Sequence, residues 1–461
     1  MILALSTHGE VDQQGRFYLL PHDIGTNPTE QQRRTRAISN DELSAWLQGL
    51  DAIVVDLQDI GARIYTYIYT MANCLRAGAK HGVDIIGVGS HVSAGLRKGV
   101  VINIESTVSS IKRAVQEAAL MAGCEIHTVF ATVSGGHIKS FNSHGIVAVK
   151  YKEVTQRDLD RVIDAAKAVA IPLDREVLHV LPQDYIIDEQ DGIKEPLGMS
   201  GVRLEAKVHV VTGAVTSVQN IVKCCNRSGL NVAEIVLTPL AAAEAVLTDE
   251  ERELGVVLVD MGGGTTDITV FHDGTVRHTA VLSIGGNHVT NDIAAGLRTP
   301  FGDAERIKQR YGFAKAAMAM DRERVEVPSI AGKEAGTVSR QILCEIIEPR
   351  LDEIFELVQK EIAKSGFDGS LASGIVATGG AMLLPGAVEM AVRSFGLPVR
   401  LGVPMQVGGL VDIVDNPIHA AAVGLVLHGM KGQERGVARP RDDKMLAKVK
   451  HRMSDWLSEF F

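Results

Sequence analysis

Asp260 closes an apolar run and is followed, one residue on, by three glycines and two threonines, in "GVVLVDMGGGTTDITVFHDGTV" (255–276). A strand, a glycine loop and a returning strand let main-chain N–H groups approach phosphate oxygens with no side chain in the way. A carboxylate at the strand's end can hold the water shell of Mg²⁺, which keeps several waters when it bridges phosphates. Gly262, Gly263 and Gly264 are therefore candidate phosphate ligands, Thr265 offers a hydroxyl, and Asp260 is the candidate metal ligand. Taken alone, the same run also fits an ordinary glycine-rich turn.

Other residues extend the pattern. "GIVATGGAMLLPG" (374–386) repeats an apolar strand before Gly379 and Gly380, where an adenosine could lie over the turn. "DAERIKQRYG" puts Glu305 and Lys308 on one face of a helix. "PIHAAAVGLVL" (417–427) is a small-residue helix suited to close packing. Two places could supply a matching first phosphate loop. In "HDIGTNPTEQQRR" (22–34), Asp23 follows Pro21-His22, and the residues after Thr26 show no apolar alternation that could make a return strand. Asp59-Ile60-Gly61 is better placed, between "AIVVDL" and "RIYTYIY", but Ala62 lacks the hydroxyl, and the length of 65–82 reads as a helix stopped by Gly82. On this reading the first phosphate loop is absent and nucleotide binding is weakened.

These residues need an α/β framework, and the chain supplies one. Strand-like runs at "VDIIGVG", "HTVFATVSG" and "EVLHVLPQDYIID" alternate with helix-like runs at "STVSSIKRAVQEAALMAG", "TQRDLDRVIDAAKAVA" and "SRQILCEIIEPRLDEIFELVQKEIAKSG". No internal repeat is visible. "KGQERGVARPRDD" (431–443) is polar and aperiodic, and reads as a linker.

The 461 residues suffice for two or three packed units. Apolar residues make up 46% and the net charge is -9, which argues against a partner bound by neutralising nucleic-acid phosphates. Five cysteines show neither metal-ligand nor disulfide spacing and suit a reducing cytosol. No stretch reads as a transmembrane helix or a signal peptide.

The nucleotide constellation, in this order, resembles the actin/Hsp70/sugar-kinase ATPase superfamily. Three stretches, 87–123, 129–149 and 176–213, together with "ERELGVVLVDMGGGTTDI", narrow it: residues of about 83–461 resemble the bacterial cell-division protein FtsA family. The resemblance implies a two-lobed actin-like fold with ATP and Mg²⁺ between the lobes. It assigns 83–141 and 214–254 to lobe 1 and 255–430 to lobe 2. An extra subdomain at about 142–213 would mediate self-association and contacts with later division proteins. An upper small subdomain at about 301–370 would receive the C-terminal peptide of the tubulin homologue FtsZ. The implied role is tethering the FtsZ ring to the inner face of the cytoplasmic membrane at the division site. Hsp70-like relatives carry a glutamate where "LTPLAAAEAV" has Thr238, so turnover is expected to be at most that of a weak ATPase.

Both ends carry further signals. In "KMLAKVKHRMSDWLSEFF" (444–461), Leu446, Val449, Met453, Trp456, Leu457 and Phe460 fall within roughly 160° of one another on a helical wheel. The basic and acidic residues, except Lys450 near the boundary, take the opposite arc, which is the pattern of a helix lying on an anionic membrane surface. A docking helix on the body is the alternative. Residues of about 10–82, through "GLDAIVVDLQDIGARIYTYIYTM", resemble a β–α fragment of the exo-acting N-acetylmuramidases of peptidoglycan recycling. A fragment of that length cannot build both a sugar cleft and placed carboxylates. A sugar kinase, a peptidoglycan-recycling glycosidase and a non-functional chimera are the rival readings.

Overall fold

The computed structural model describes residues 83–319, 323–329 and 336–434, together with five strands nearer the N-terminus. Three of these, β1 (Thr7–Val11), β2 (Phe17–Pro21) and β3 (Ile38–Ser39), form an antiparallel sheet of their own. Asp23 lies outside the described residues. The strand before it, β2, pairs with β1 and β3 and belongs to neither of the large sheets below.

Lobe 1 opens with a meander of β4 (Ile53–Leu57), β5 (Ile68–Asn73) and β6 (Val83–Gly89), each antiparallel to the last. The expected helix over 65–82 is thereby corrected at 68–73, which pair on both sides as a strand. The Tyr, Ile and Thr content of this stretch fits a pleated surface, and two neighbouring strands outweigh its helix-like length. Residues 58–67, with Asp59, Ile60, Gly61 and Ala62, lie outside the described residues. A short hairpin of β7 (Leu96–Arg97) and β8 (Val100–Val101) precedes α1 (Ile104–Ala122). The cap of α1 is Asn103, whose side chain accepts from Ser106 N–H at 3.0 Å, so the helix starts before the serine-threonine run. It lies directly on β6, where a Cβ on Gly89 would sit 1.9 Å from Ala114 O. Strand β9 (Thr128–Val133) then runs parallel to β4.

An inserted subdomain follows: β10 (Lys139–Ala148), α2 (Gln156–Lys167), β11 (Arg175–Ile187), β12 (Gln190–Ile193) and β13 (Arg203–Ala214). Its antiparallel sheet has the order β10-β13-β11-β12. Val162 and Ala166 of α2 pack with Leu204, Ala206 and Val208 of β13 in a core of its own. The chain returns to lobe 1 through α3 (Val215–Arg227) and β14 (Asn231–Leu237), which is parallel to β9. Two helices, α4 (Thr238–Val246) and α5 (Asp249–Leu254), lead to the second lobe.

Lobe 2 repeats the plan. Strands β15 (Val256–Met261), β16 (Thr266–His272) and β17 (Thr275–Leu282) form an antiparallel meander. Helices α6 (Gly286–Leu297) and α7 (Phe301–Tyr311), the hairpin of β18 (Arg324–Val327) and β19 (Gly336–Ser339), and α8 (Arg340–Ser365) come next. Strand β20 (Ile375–Thr378) returns parallel to β15; α9 (Ala387–Phe395) and β21 (Val399–Leu401) follow. The two large sheets thus read β6-β5-β4-β9-β14 and β17-β16-β15-β20-β21, a meander followed by two parallel strands in each. This repeat is topological and has no counterpart that a single sequence displays.

Strand β22 (Val407–Gly409) adds to lobe 1 beside β6, and α10 (Ala420–Glu434) closes the described chain. Its small residues let it press on α4: a Cβ on Gly424 would lie 1.7 Å from Ala241 O. α10 runs to Glu434, into the stretch read as a linker from 431. The remaining linker residues and all six candidate membrane-binding residues of 444–461 lie outside the described residues. Among the described residues, no helix is long and apolar enough to cross a membrane.

Candidate functional site

The site grows from the β15–β16 turn. The apolar alternation of both strands fixes their register, and that register sets Asp260 opposite Asp267. The turn closes with Gly262 N–H donating to Thr265 O at 3.0 Å. It is braced from outside by α6, where Gly286 N–H donates to Gly262 O at 3.0 Å and Asn287 N–H to Gly263 O at 2.8 Å. Gly263 and Gly264 are buried, and among the described residues their own N–H groups make no hydrogen bond. Buried main-chain donors are nearly always paired, so two such groups beside a carboxylate are open to an anionic ligand.

Gly379 meets this turn from the end of β20. Its φ of +89° suits glycine, and a Cβ there would lie 2.5 Å from Asp260 Oδ1 and 2.6 Å from Met261 O. Gly380 starts the turn that follows it. Glu305 and Lys308 reach the start of α6, which braces the turn, from α7. Lys308 Nζ is 2.7 Å from Glu305 Oε2 and donates to Gly286 O at 3.1 Å and to Thr290 Oγ1 at 2.8 Å. Thr290 donates to Glu305. Burial lowers the Lys308 pKa, while Glu305 supports its charge. Asp260, Gly262, Gly263, Gly264, Thr265, Gly379 and Gly380 therefore meet at the turn, and Glu305 and Lys308 connect to it indirectly, through Gly286.

Three members were not singled out from sequence. Asp267 is fully buried; desolvation, and then the charge of Asp260, push its carboxyl up to about 7. Thr265 Oγ1 donates to its Oδ2 at 3.1 Å, and Ser134 Oγ, from the end of β9 in lobe 1, donates to its Oδ1 at 2.6 Å. Thr290 is the third. Only Asp267 left a readable trace, as the second aspartate flanking a glycine turn; Ser134 and Thr290 arrive through tertiary packing.

The donor set fits an oxygen-rich anion with its cation. Asp260 places a carboxylate at the turn's entry, the glycine loops exclude side chains, and Thr265 adds a hydroxyl, which is chemistry for Mg²⁺ in its hydrate. Glu244 is placed elsewhere. Burial pushes its carboxyl up, but Arg252 at 3.1 Å and Lys431 hold it below the ordinary range. It is committed to α10 and takes no place at the turn.

Three family models match the chain. Residues 257–424 match "Cell division protein FtsA", residues 135–212 match the SHS2 domain inserted in FtsA, and residues 36–89 match the N-terminal part of the exo-beta-N-acetylmuramidase NamZ. The last match ends with β6 and spans lobe 1's meander. Cell division protein FtsA of Pseudomonas aeruginosa is 53% identical over 385 residues, 82% of this chain and 92% of that protein. Its counterpart in Neisseria meningitidis is 47% identical over 361 residues, 78% of this chain and 87% of that one. A solved PilM–PilN type IV pilus biogenesis complex superposes with a TM-score of 0.59 at 16% identity, covering 85% of this chain and 99% of that one, which speaks for the fold alone. With its paired lobes, its insert and identity at this level over most of both chains, the protein belongs to the cell division protein FtsA family.

Proposed function

We propose that this chain binds Mg²⁺·ATP at the β15–β16 turn, self-associates through the insert at 142–213, and tethers FtsZ to the inner face of the cytoplasmic membrane. The N–H groups of Gly263 and Gly264, which have no partner among the described residues, carry the nucleotide part of this reading together with Asp260 beside them. Gly262 to Thr265 take phosphate oxygens. Asp260 holds the Mg²⁺ hydrate, which when bound offsets phosphate charge. Gly379 and Gly380, with Glu305 and Lys308, flank the adenosine. Thr238 stands where Hsp70-like relatives carry the water-orienting glutamate, so the site retains nucleotide rather than turning it over quickly.

The remaining parts rest on family membership and on the sequence. The subdomain at about 301–370 receives the FtsZ C-terminal peptide, and later division proteins meet the insert. The tail at 444–461 lies on anionic lipid through Leu446, Val449, Met453, Trp456, Leu457 and Phe460, which places the protein at the division site. The sequence reads as lacking the first phosphate loop, so binding is weaker than in relatives that carry one.

The nucleotide part is tested by thermal unfolding with increasing Mg²⁺·ATP. Free ligand at 100 times its Kd stabilises a folded protein by about 2.7 kcal/mol. The parent chain should gain stability progressively, and Asp260→Ala should gain none. A parent melting point unmoved by millimolar Mg²⁺·ATP would remove the nucleotide from the account.

A further inference from the structure

The chain leaves lobe 1 for the insert through Ser134, Gly135, Gly136 and His137, directly after β9. This exit is clasped to lobe 2 rather than free. Ser134 Oγ donates to Asp267 Oδ1 at 2.6 Å and lies 3.4 Å from Thr265 Oγ1. A Cβ on Gly136 would lie 2.5 Å from Ser283 Oγ, on the loop that leads into α6.

The insert itself then docks along β17, the neighbour of the strand that carries Asp267. Ser140 Oγ donates to Thr279 O at 2.8 Å. His209 bridges Asn142 Oδ1 at 2.6 Å and Thr279 Oγ1 at 2.9 Å. Gln183 donates to Val276 O at 2.8 Å, and Asp184 pairs with Arg277 at 2.6 Å. The insert is thus covalently part of lobe 1 and non-covalently part of lobe 2. Its two attachments differ in kind: the β17 contacts lie away from the glycine turn, whereas Ser134 reaches a residue that also holds Thr265.

We propose that Ser134 is a positioning residue that transmits occupancy of the Gly262–Thr265 turn to the inserted subdomain. The proposal rests on the nucleotide reading above. Thr265 has one hydroxyl proton. When that hydroxyl turns to a phosphate oxygen it gives up Asp267, and Ser134 becomes the hydroxyl donor left on that carboxylate. The clasp shortens the exit segment's freedom, and β10, which starts five residues later at Lys139, is held more firmly. Coupling of this kind needs a contact whose strength differs between two states, which the shared carboxylate provides.

Hydrogen exchange on the full chain tests this, with and without saturating Mg²⁺·ATP, reading the turn at 261–267 and β10 at 139–148. In the parent, nucleotide should slow exchange at both places. In Ser134→Ala the turn should still respond while β10 no longer does, and Ser134→Thr should restore the β10 response. Ser140→Ala, which removes a hydroxyl bond to β17 away from the turn, should speed β10 exchange equally in both conditions. The proposal is overturned if β10 responds in Ser134→Ala as in the parent, if Ser140→Ala alone abolishes the response, or if the parent's β10 stays silent while its turn responds. The parent comparison needs no variant, so poor folding of Ser134→Ala does not shield the idea. A silent turn in the parent would mark failure of the nucleotide reading itself, and this proposal would fall with it.

Discussion

Lys308 and Glu305 form a buried ion pair one helical turn apart on α7, with Lys308 Nζ 2.7 Å from Glu305 Oε2. Removing one partner of such a pair leaves an uncompensated charge and costs about 3–5 kcal/mol, whereas replacing both is far milder. Lys308→Met should lower the urea midpoint strongly. The Glu305→Gln, Lys308→Met double variant should recover much of the loss. A single variant that unfolds at the parent's midpoint would show that the pair does not brace α7 against α6.

Acid should destabilise the folded chain through its buried histidines. Desolvation comes first in holding His179, His209 and His419 down to about 4, against an ordinary 6.5. The unfolded chain takes up these protons near pH 6.5 and the folded chain only near 4. Stability is therefore whole above pH 6.5, falls as the pH drops towards 4, and levels off below. A ring held at about 4 rather than 6.5 contributes on the order of 3 kcal/mol to that fall. His179 accepts Leu237 N–H at 2.9 Å, and His179→Gln keeps an acceptor while removing the titration. Unfolding free energies at pH 7 and pH 4.5 should differ less in this variant than in the parent. An unchanged difference would exclude His179 as a source of acid sensitivity.

The tail should bind anionic vesicles chiefly through its apolar arc. Burying a large apolar side chain is worth about 1.5–3 kcal/mol, and each nearby basic residue about 1 kcal/mol. Trp456→Glu should therefore lower vesicle co-sedimentation far more than Lys448→Ala. Equal losses would point to a purely electrostatic attachment.

Lobe 2 was open to a sequence reading because its signals are local. Asp260, three glycines and an alternating return strand lie within a dozen residues, and strand register alone places Asp267 opposite Asp260. Lobe 1 was not, because its first two strands sit in a segment of different resemblance, and 68–73 carries a length that suggests helix beside a composition that suits strand. Pairing with β4 and β6 decides between them, and pairing is not a local property. Ser134 could not be found either: it meets Asp267 across 133 residues of chain. The helical continuation of α10 past Met430 hides in a polar stretch, where Lys431 is held by Glu244 from a distant helix.

Recruitment of purified FtsZ to anionic vesicles tests the tether most directly. Vesicles, FtsZ and this chain are mixed with Mg²⁺·ATP and sedimented, in parallel with a version ending at Glu434. The full chain should carry FtsZ into the vesicle pellet, and the shortened version should leave both proteins in solution. Full-length chain found in the pellet with FtsZ still in the supernatant would contradict the tethering account.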